Sequence, residues 1–240
     1  MTLLRAAFIL ALVPPLNGQD FSRQEEISGF LVALGAASGP NETNCFSQAL
    51  GPIQLETVHT FVTNCDDAEP PNNCTVRIGR AYNGSSSEDK ILIVGHSLGA
   101  ALGAVMAATL KEEQAADRKR INLLMFGSPR TGNLDFSNYV ESATARRMQV
   151  IHDVDLVPNF PSVQKGFFRV PGVKLYPQRN MWPTSKFVYC LGGEDPSCST
   201  CNGVDWIISK GCYDLGYHID YYGLASVADF GEADCPYELH

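Results

Sequence analysis

Short apolar runs alternate with longer amphipathic stretches through the middle of the chain. The apolar runs are rich in β-branched residues and too short for helices, which predicts buried strands. The stretches between them have apolar residues at helical spacing, and one is rich in alanine. This alternation predicts an α/β fold, with a mostly parallel sheet and helices on both faces. The predicted order is strand 91–94, helix 99–113, strand 121–126, helix 134–143 and strand 148–152.

Two further helices are predicted upstream of this alternating region. Residues 23–37 have apolar positions at helical spacing and end at Ser38-Gly39-Pro40, a strong helix breaker. Residues 53–62 show a similar amphipathic pattern. After Pro158 the chain is rich in proline, glycine and aromatic residues and has no regular period. Because there is no internal repeat or linker, we expect residues 19–240 to form a single domain.

The first 18 residues resemble a secretory signal peptide. Arg5 supplies a positive charge, residues 6–13 supply an apolar core, and Pro14-Pro15 end it, which predicts cleavage near Gly18. The apolar run is too short to span a bilayer, and a buried N-terminal helix is the alternative. The sequence therefore predicts a secreted, extracellular protein without a transmembrane segment.

Cysteine content and glycosylation motifs also favour secretion. The chain has eight cysteines, an even number that is typical of a disulfide framework. A polar loop lies between Cys65 and Cys74, which either pair with each other or have separate partners. Cys198-x-x-Cys201 allows a zinc site as a less favoured alternative, because the spacing of the neighbouring cysteines is irregular. The glycosylation motifs begin at Asn41, Asn73 and Asn83.

The net charge of −8 limits the classes of partner. Surfaces that bind nucleic acid are basic, so nucleic acid is excluded as a partner. Docking on anionic membranes through charge is disfavoured for the same reason. Contact with a neutral lipid surface remains compatible with this charge.

A G-x-S-x-G motif, residues 95–99, lies between the first strand of the alternating region and its helix. A serine on a sharp strand-to-helix turn exposes its hydroxyl, and the flanking glycines permit the strained turn. The N-terminus of the following helix carries partial positive charge where an oxyanion would form. Ser97 is therefore the candidate nucleophile, and a serine that only caps the helix is the alternative.

A serine hydroxyl requires a histidine base, and the histidine requires a carboxylate that orients it. Where the nucleophile lies on such a turn, the partners follow in the order serine, acid, histidine. The candidate acids, described below, follow the strand 148–152. Of the five histidines, His218 is the one that comes after them without being the terminal residue. It is the candidate base, and a surface or core histidine is the alternative.

Two aspartates are candidates for the acid. Asp153 and Asp155 both follow the strand 148–152. Functional residues of open parallel sheets lie just beyond the carboxyl ends of the strands, so both aspartates qualify by position. The residue pattern alone does not separate them.

Further motifs appear in a fixed order between about Cys74 and Cys235. They are Cys74-Thr75-Val76, Arg80-Ala81-Tyr82-Asn83, residues 95–102, residues 126–133, residues 152–158, and His218 with Tyr222-Gly223. In this combination they resemble the secreted fungal lipases of class 3, a branch of the α/β-hydrolases that includes feruloyl esterases. The resemblance implies an α/β-hydrolase-like fold.

The resemblance also implies roles for individual residues. The acid of the family lies two residues before Val-Pro, which selects Asp155 over Asp153. His218 takes the position of the base, and the backbone N–H of Leu98 takes that of an oxyanion donor. No metal and no cofactor are implied. The family disulfide between the N-terminal helix and the C-terminus implies Cys45–Cys235, and Cys190–Cys198 and Cys201–Cys212 are then the simplest local pairs.

The N-terminal part departs from the family pattern. The family has several strands before Cys74, and one ends in Phe-Arg-Gly-Ser or Phe-Arg-Gly-Thr, which supplies a second oxyanion donor. Residues 41–73 are too few for these strands, and Gly51-Pro52 is the nearest match to that motif. Proline has neither a backbone N–H nor a hydroxyl, so we expect reduced N-terminal strands and an incomplete oxyanion hole.

Three functional hypotheses follow. The first is a secreted carboxylic-ester hydrolase, most simply a triacylglycerol lipase that works at a lipid–water interface through a Ser-His-Asp acyl-enzyme mechanism. The second is a feruloyl or short-chain esterase. The third belongs to another class, a catalytically impaired or inactive lipase-like remnant that lacks a complete oxyanion hole.

Overall fold

A single sheet with helices on both faces organises the part of the chain that the computed structural model describes, residues 7–13, 20–37, 54–64, 73–82, 90–198 and 216–223. The helices are α1 (Arg23–Ala37), α2 (Leu98–Glu112), α3 (Leu134–Ala143) and the single turn α4 (Gly216–Ile219). The strands are β1 (Ala7–Val13), β2 (Gln54–Asn64), β3 (Asn73–Tyr82), β4 (Lys90–His96), β5 (Ile121–Phe126), β6 (Arg146–His152), β7 (Val173–Tyr176) and β8 (Val188–Tyr189).

The sheet is mostly parallel. Its strand order is β2-β3-β1-β4-β5-β6-β7-β8. Strands β4 to β7 run parallel to one another, and β1 is parallel to β3. The antiparallel pairs are β1–β4, β2–β3 and β7–β8. The carboxyl ends of β4, β5 and β6 therefore meet at one edge, where functional residues of α/β folds are expected.

Side chains of the central strands alternate between two helical layers. Ile93 and Leu123 are buried in the cluster that contains the alanines of α2. On the other face, Val94 and Leu124 contact α1 at Gly29. A Cβ at Gly29 would lie 2.5 Å from Cδ2 of Leu124, so glycine permits the close approach of this helix to the sheet. Each fully buried aliphatic side chain contributes about 1.5–3 kcal/mol, and these contacts fix both layers.

Most elements of the central region are confirmed. Strand 121–126 and helix 134–143 have the predicted bounds, and so does the upstream helix 23–37. The helix after the G-x-S-x-G motif begins one residue earlier than predicted, at Leu98. Strand β6 begins at Arg146, two residues before the predicted start. These segments carry strong apolar patterns that tertiary packing reinforces.

The predicted helix 53–62 is wrong, because residues 54–64 form strand β2. The segment contains several threonines and valines, whose branched side chains favour strands. A register shift between Thr57 and His59 inserts an extra residue into the pairing with β3. This bulge interrupts the two-residue alternation that identifies a strand, which explains why the apolar spacing resembled that of a helix.

The region after Pro158 also contains strands that the sequence analysis did not predict. β7 has only four residues and includes Lys174, yet all four are buried. β8 has two residues and pairs with β7 at the sheet edge. Such short strands are too brief to show a period in the sequence.

Strand β1 comes from the segment that resembles the apolar core of a signal peptide. It pairs with β3 on one side and with β4 on the other, and Phe8 lies opposite Gly95. Residues 7–13, 54–64 and 73–82 thus each supply one strand to the N-terminal half of the sheet. Within the described ranges, no helix is both long and apolar enough to cross a membrane.

The predicted disulfide between Cys190 and Cys198 is confirmed. Cys198 packs beside Ile151, Val173 and Leu175, so the bridge fastens the loop after β8 to the sheet. The bridge also removes the Cys198 sulfur from the alternative zinc site. The predicted pairs Cys45–Cys235, Cys201–Cys212 and Cys65–Cys74 include residues outside the described ranges, as do the motifs at Asn41 and Asn83.

Candidate active site

Ser97 lies on the sharp turn between β4 and α2. Its backbone has φ 56° and ψ −129°, a conformation that non-glycine residues rarely adopt. Its N–H donates to the carbonyl of Phe126 at 2.9 Å, which fixes the turn against β5. A Cβ at Gly95 would lie 2.4 Å from the carbonyl oxygen of Gly99, so the strand and the helix can meet only with glycine there. The Ser97 hydroxyl does not cap α2, and the capping alternative is therefore not realised.

The structure brings Ser97, His218 and Asp155 into one chain of hydrogen bonds. Nε2 of His218 lies 2.8 Å from Oγ of Ser97. Nδ1 of His218 lies 2.9 and 3.0 Å from the two carboxylate oxygens of Asp155. A carboxylate accepts, so Nδ1 carries the hydrogen and Nε2 is free to accept the serine proton. All three residues are buried, which strengthens these interactions.

Asp155, rather than Asp153, reaches the candidate base. Oδ1 of Asp155 also accepts the backbone N–H of Val157 at 3.0 Å, and Oδ2 accepts the hydroxyl of Tyr221 at 2.7 Å. Asp153 has φ 37° and donates its N–H to the carbonyl of Tyr176. Burial raises the pKa of its carboxyl, partly offset by His152. The residue pattern left both aspartates open as the candidate acid, and the hydrogen bonds favour Asp155.

Tyr221 is a site residue that the sequence analysis missed. Its side chain is fully buried, and its hydroxyl donates to Asp155. Burial and the neighbouring Asp155 charge raise the pKa of Tyr221 well above its ordinary value, so it stays a donor. The sequence signal is its position three residues after His218, but two adjacent tyrosines occur there and the sequence alone does not rank them.

Gly127 is a second residue that the sequence analysis did not assign to the site. It follows β5 with φ 54°. A Cβ at this position would lie 2.8 Å from Oδ2 of Asp155 and 2.9 Å from Nδ1 of His218. The missing side chain leaves the space in which the candidate acid and the candidate base meet.

His96 and His152 precede the candidate acids in the sequence, and the structure places both of them near the His218 segment. The ring of His96 lies against the ring of His218, with centroids 4.6 Å apart. His152 is fully buried at the end of β6 and contacts main-chain carbonyls. His96 therefore contacts the candidate base itself, and His152 contacts the residue before it.

Leu98 is the candidate oxyanion donor. Leu98 is the first residue of α2, where backbone N–H groups have no acceptor within the helix. The N-terminus of α2 adds partial positive charge at the same place. The candidate for a second donor, Gly51-Pro52, lies outside the described residues.

A buried ionic cluster ties the base segment to α1 and β7. Glu26 on α1 is fully buried and forms an ion pair with Lys174 of β7. Oε2 of Glu26 also accepts the hydroxyls of Tyr176 and Tyr222, at 2.6 and 2.7 Å. Because a buried charge is stable only when it is paired and hydrogen-bonded, removal of one partner should be strongly destabilising.

The comparisons with known proteins find similar sequences among lipases. Residues 57–165 match the class 3 lipases. A lipase of Caenorhabditis elegans is 26% identical over 170 residues, which are 60% of this chain and 47% of that protein. The secreted mono- and diacylglycerol lipase 1 of Fusarium solani is 38% identical over 78 residues, 32% of this chain and 22% of that protein. The chain thus spans less than half the length of these curated relatives.

A solved structure shows the same fold. Lipase II from Rhizopus niveus superposes with a TM-score of 0.62 at 18% identity. The superposition covers 89% of this chain and 96% of that one. The fold is therefore that of the α/β-hydrolases, as the motifs implied.

Proposed function

We propose that this chain is a member of the class 3 lipases, which its residues 57–165 match, and that it is a carboxylic-ester hydrolase that acts as a lipase on acylglycerols. The observation that carries the proposal is the buried contact of His218 with both other residues, 2.8 Å to Ser97 and 2.9 Å to Asp155. A histidine that joins a serine hydroxyl to a carboxylate in this way can act as general base.

The reaction begins when Oγ of Ser97 attacks the ester carbonyl and Nε2 of His218 accepts the hydroxyl proton. Asp155 orients the ring through Nδ1 and stabilises its charged form. The tetrahedral intermediate collapses, the leaving alcohol receives the proton from His218, and an acyl-enzyme remains. A water molecule, deprotonated by His218, then attacks the acyl-enzyme, and the carboxylic acid leaves as Ser97 is regenerated.

The rate depends on how well the oxyanion is stabilised. The N–H of Leu98 at the start of α2 supplies one donor. Loss of a single oxyanion donor lowers kcat by about 10²–10³. An enzyme in which Leu98 is the one oxyanion donor therefore hydrolyses esters slowly, but at a rate that can be measured. The impaired-enzyme hypothesis can thus be tested by measuring this rate.

The substrate and the location are parts of the proposal. The matched Fusarium solani protein is a secreted lipase for mono- and diacylglycerols, which favours an acylglycerol ester as substrate. Residues 1–18 have the pattern of a signal peptide, so we propose secretion and contact with a lipid–water interface. A feruloyl or short-chain ester is the second candidate substrate.

The experiment is a pre-steady-state assay with p-nitrophenyl butyrate. We expect a burst of p-nitrophenol from the wild-type protein and none from Ser97→Ala. Ser142→Ala is the matched control, because the Ser142 hydroxyl bonds only to Tyr139 and Lys111 among the described contacts and lies on α3. It should retain the burst. Equal activity of wild type and Ser97→Ala would refute the proposed nucleophile.

A second measurement separates the alternatives. A lipase should hydrolyse emulsified tributyrin faster above the solubility limit of this substrate, whereas an esterase should prefer dissolved methyl ferulate or short esters. A folded protein that neither hydrolyses these esters nor reacts with a fluorophosphonate probe at Ser97 would be the inactive remnant.

A further inference from the structure

Two buried histidines contact consecutive carbonyls of the turn that carries His218. Nε2 of His96 lies 2.7 Å from the carbonyl oxygen of His218 itself. Nδ1 of His152 lies 3.2 Å from the carbonyl oxygen of Tyr217. A carbonyl oxygen only accepts, so Nε2 of His96 is the donor in the first contact, and Nδ1 of His152 is the donor in the second when the ring hydrogen is on Nδ1.

We propose that His96 and His152 are positioning residues that hold the main chain of His218 against the nucleophile strand and the acid strand. The proposal rests on the proposed function, because it concerns the base of that reaction. α4 has only four residues, and a single helical turn has little stability of its own. Its position must therefore come from contacts with the rest of the fold.

His96 connects the base to the nucleophile. It is the last residue of β4 and immediately precedes Ser97, so its bond links the main chain of the base to the strand that carries the nucleophile. The two rings are 4.6 Å apart and inclined by 32°, so His96 also covers one side of the His218 ring. Phe30 and Tyr221 hold the His96 ring in edge contacts.

His96 is a neutral donor rather than a second base. Burial, with a smaller contribution from His218, lowers the pKa of His96 to about 3. The ring therefore stays uncharged at the pH at which a serine esterase works. Because Nε2 carries the hydrogen that bonds to the His218 carbonyl, this nitrogen does not accept the Ser97 proton.

His152 connects the base to the acid. It is the last residue of β6, three residues before Asp155, and it is fully buried. Its Nε2 lies 2.9 Å from the carbonyl oxygen of Gln178, and its ring packs edge-on against Tyr217 at 5.1 Å. His152 thus joins the end of β6 to the base turn and to the loop after β7.

The contacts of His96 and His152 hold the main chain at His218, where a small displacement has a large effect on the rate. His218 must keep short contacts at both ring nitrogens, 2.8 Å to Ser97 and 2.9 Å to Asp155. A displacement of about 1 Å in a catalytic group lowers the rate by about 10². With two neighbouring carbonyls fixed, the His218 ring has one main-chain position from which to reach both partners.

The test compares each histidine with a ring of similar shape that has no N–H. We expect His96→Phe and His152→Phe to lower kcat for p-nitrophenyl butyrate by about tenfold each, the effect of one lost buried hydrogen bond, with KM nearly unchanged. His96→Gln keeps a donor at a similar reach and should recover most of kcat, whereas His96→Met, of similar size but without the donor, should not.

The control is Asn122→Leu. Asn122 is buried at the start of β5, and its amide donates to the carbonyls of Ile91 and Arg120 at 3.2 and 3.1 Å. Its loss removes a buried side-chain donor at the opposite end of the same strands. We expect it to lower the melting temperature and leave kcat unchanged.

The outcomes are separable. Wild-type kcat in folded His96→Phe and His152→Phe, or an equal kcat for His96→Gln and His96→Met, would overturn the inference and leave the proposed function intact. A loss of kcat in Asn122→Leu as large as that in the histidine variants would also overturn it, because general destabilisation would then explain the effect. If wild type and Ser97→Ala have equal activity, the proposed function itself fails.

Discussion

The hydroxyl of Tyr221 donates to Oδ2 of Asp155 at 2.7 Å, on the same carboxylate that bonds Nδ1 of His218. Asp155 is fully buried, so each of its oxygens needs donors from the protein. Tyr221 therefore holds the carboxylate in the orientation in which it bonds to the base. In the proposed reaction it acts through Asp155, as a positioning residue.

We predict that Tyr221→Phe lowers kcat by about tenfold, because the bond to a charged group is worth about 1.5–3 kcal/mol and part of this is lost to relaxation of Asp155. KM should change little, since the Tyr221 side chain is fully buried and its hydroxyl contacts Asp155. The measurement is steady-state hydrolysis of p-nitrophenyl butyrate.

Tyr139→Phe is the control for this prediction. The Tyr139 hydroxyl also donates to a carboxylate, that of Glu112 at 2.6 Å, but this pair lies on the outer helices α2 and α3. Its loss should leave kcat unchanged. The same kcat in Tyr221→Phe and wild type would show that Asp155 needs no second donor.

Gly127 gives the second prediction. Its φ of 54° already disfavours a side chain, and an alanine Cβ would lie 2.8 Å from Oδ2 of Asp155. We expect Gly127→Ala to lower kcat/KM by about 10² or more, because the acid and the base must separate to admit the methyl group. Labelling of Ser97 by a fluorophosphonate should slow to a similar extent.

Gly166→Ala separates backbone strain from crowding. Gly166 also has a positive φ, 82°, but no atom lies within 4 Å of the position that an alanine methyl group would take there. Both variants should lose about 1–2 kcal/mol of stability from the left-handed backbone. Only Gly127→Ala should lose activity, and equal activity of the two variants would contradict the crowding argument.

The parts of the fold that the sequence predicted are those in which a local pattern and the tertiary environment agree. β5 has six consecutive buried residues, and its apolar run Ile121–Phe126 is visible without any partner. Ser97 could be assigned because its turn requires both a strand and a helix in the chain next to it. His218 could be assigned only by order along the chain, since nothing near it in sequence indicates Asp155.

The missed features depend on pairing and on space rather than on local pattern. The bulge near Thr57 is visible only against β3, so the period of β2 was misleading. The role of Gly127 depends on two residues that approach from distant parts of the chain, Asp155 and His218. No local sequence rule reports an empty volume of this kind. The same holds for Tyr221, whose acceptor lies 66 residues earlier.

Strand β1 leads to the third prediction, because residues 7–13 have two possible fates. As a signal-peptide core they are removed, and as β1 they pair with β3 and β4. If β1 belongs to the native sheet, deletion of residues 1–18 exposes two unpaired strand edges, which favours aggregation. We therefore expect this deletion to lower the melting temperature and to produce oligomers in size-exclusion chromatography.

Deletion of residues 2–6, which precede β1, is the matched control and should behave like the full chain. A deletion of residues 1–18 that is monomeric and as stable as the full chain would mean that β3 and β4 do not need β1. Intact-mass measurement of the protein from culture medium would then identify which form is secreted.

The fourth prediction concerns pH and stability. His96 has a pKa of about 3 in the folded protein, against an ordinary value of 6.5, mainly because of burial. Between these values the unfolded chain binds a proton at His96 that the folded protein does not bind. Stability therefore rises with pH across this window, and the contribution of His96 is lost progressively as the pH falls below 6.5. The slope from one such group approaches about 1.4 kcal/mol per pH unit.

Urea unfolding of wild type and His96→Phe between pH 4.5 and 6.5 measures this slope. The lower limit of pH 4.5 avoids the titration of Glu25 and Glu194. Burial raises the pKa of each carboxyl, but the arginine partners outweigh this effect and lower it from 4.5. Their contributions to stability are therefore lost only in more acidic solution. The substitution changes packing by an amount that does not depend on pH, so the difference in slope isolates the titration of His96. We expect a flatter profile for His96→Phe, and parallel profiles would mean that the His96 ring takes up a proton in the folded protein as readily as in the unfolded chain.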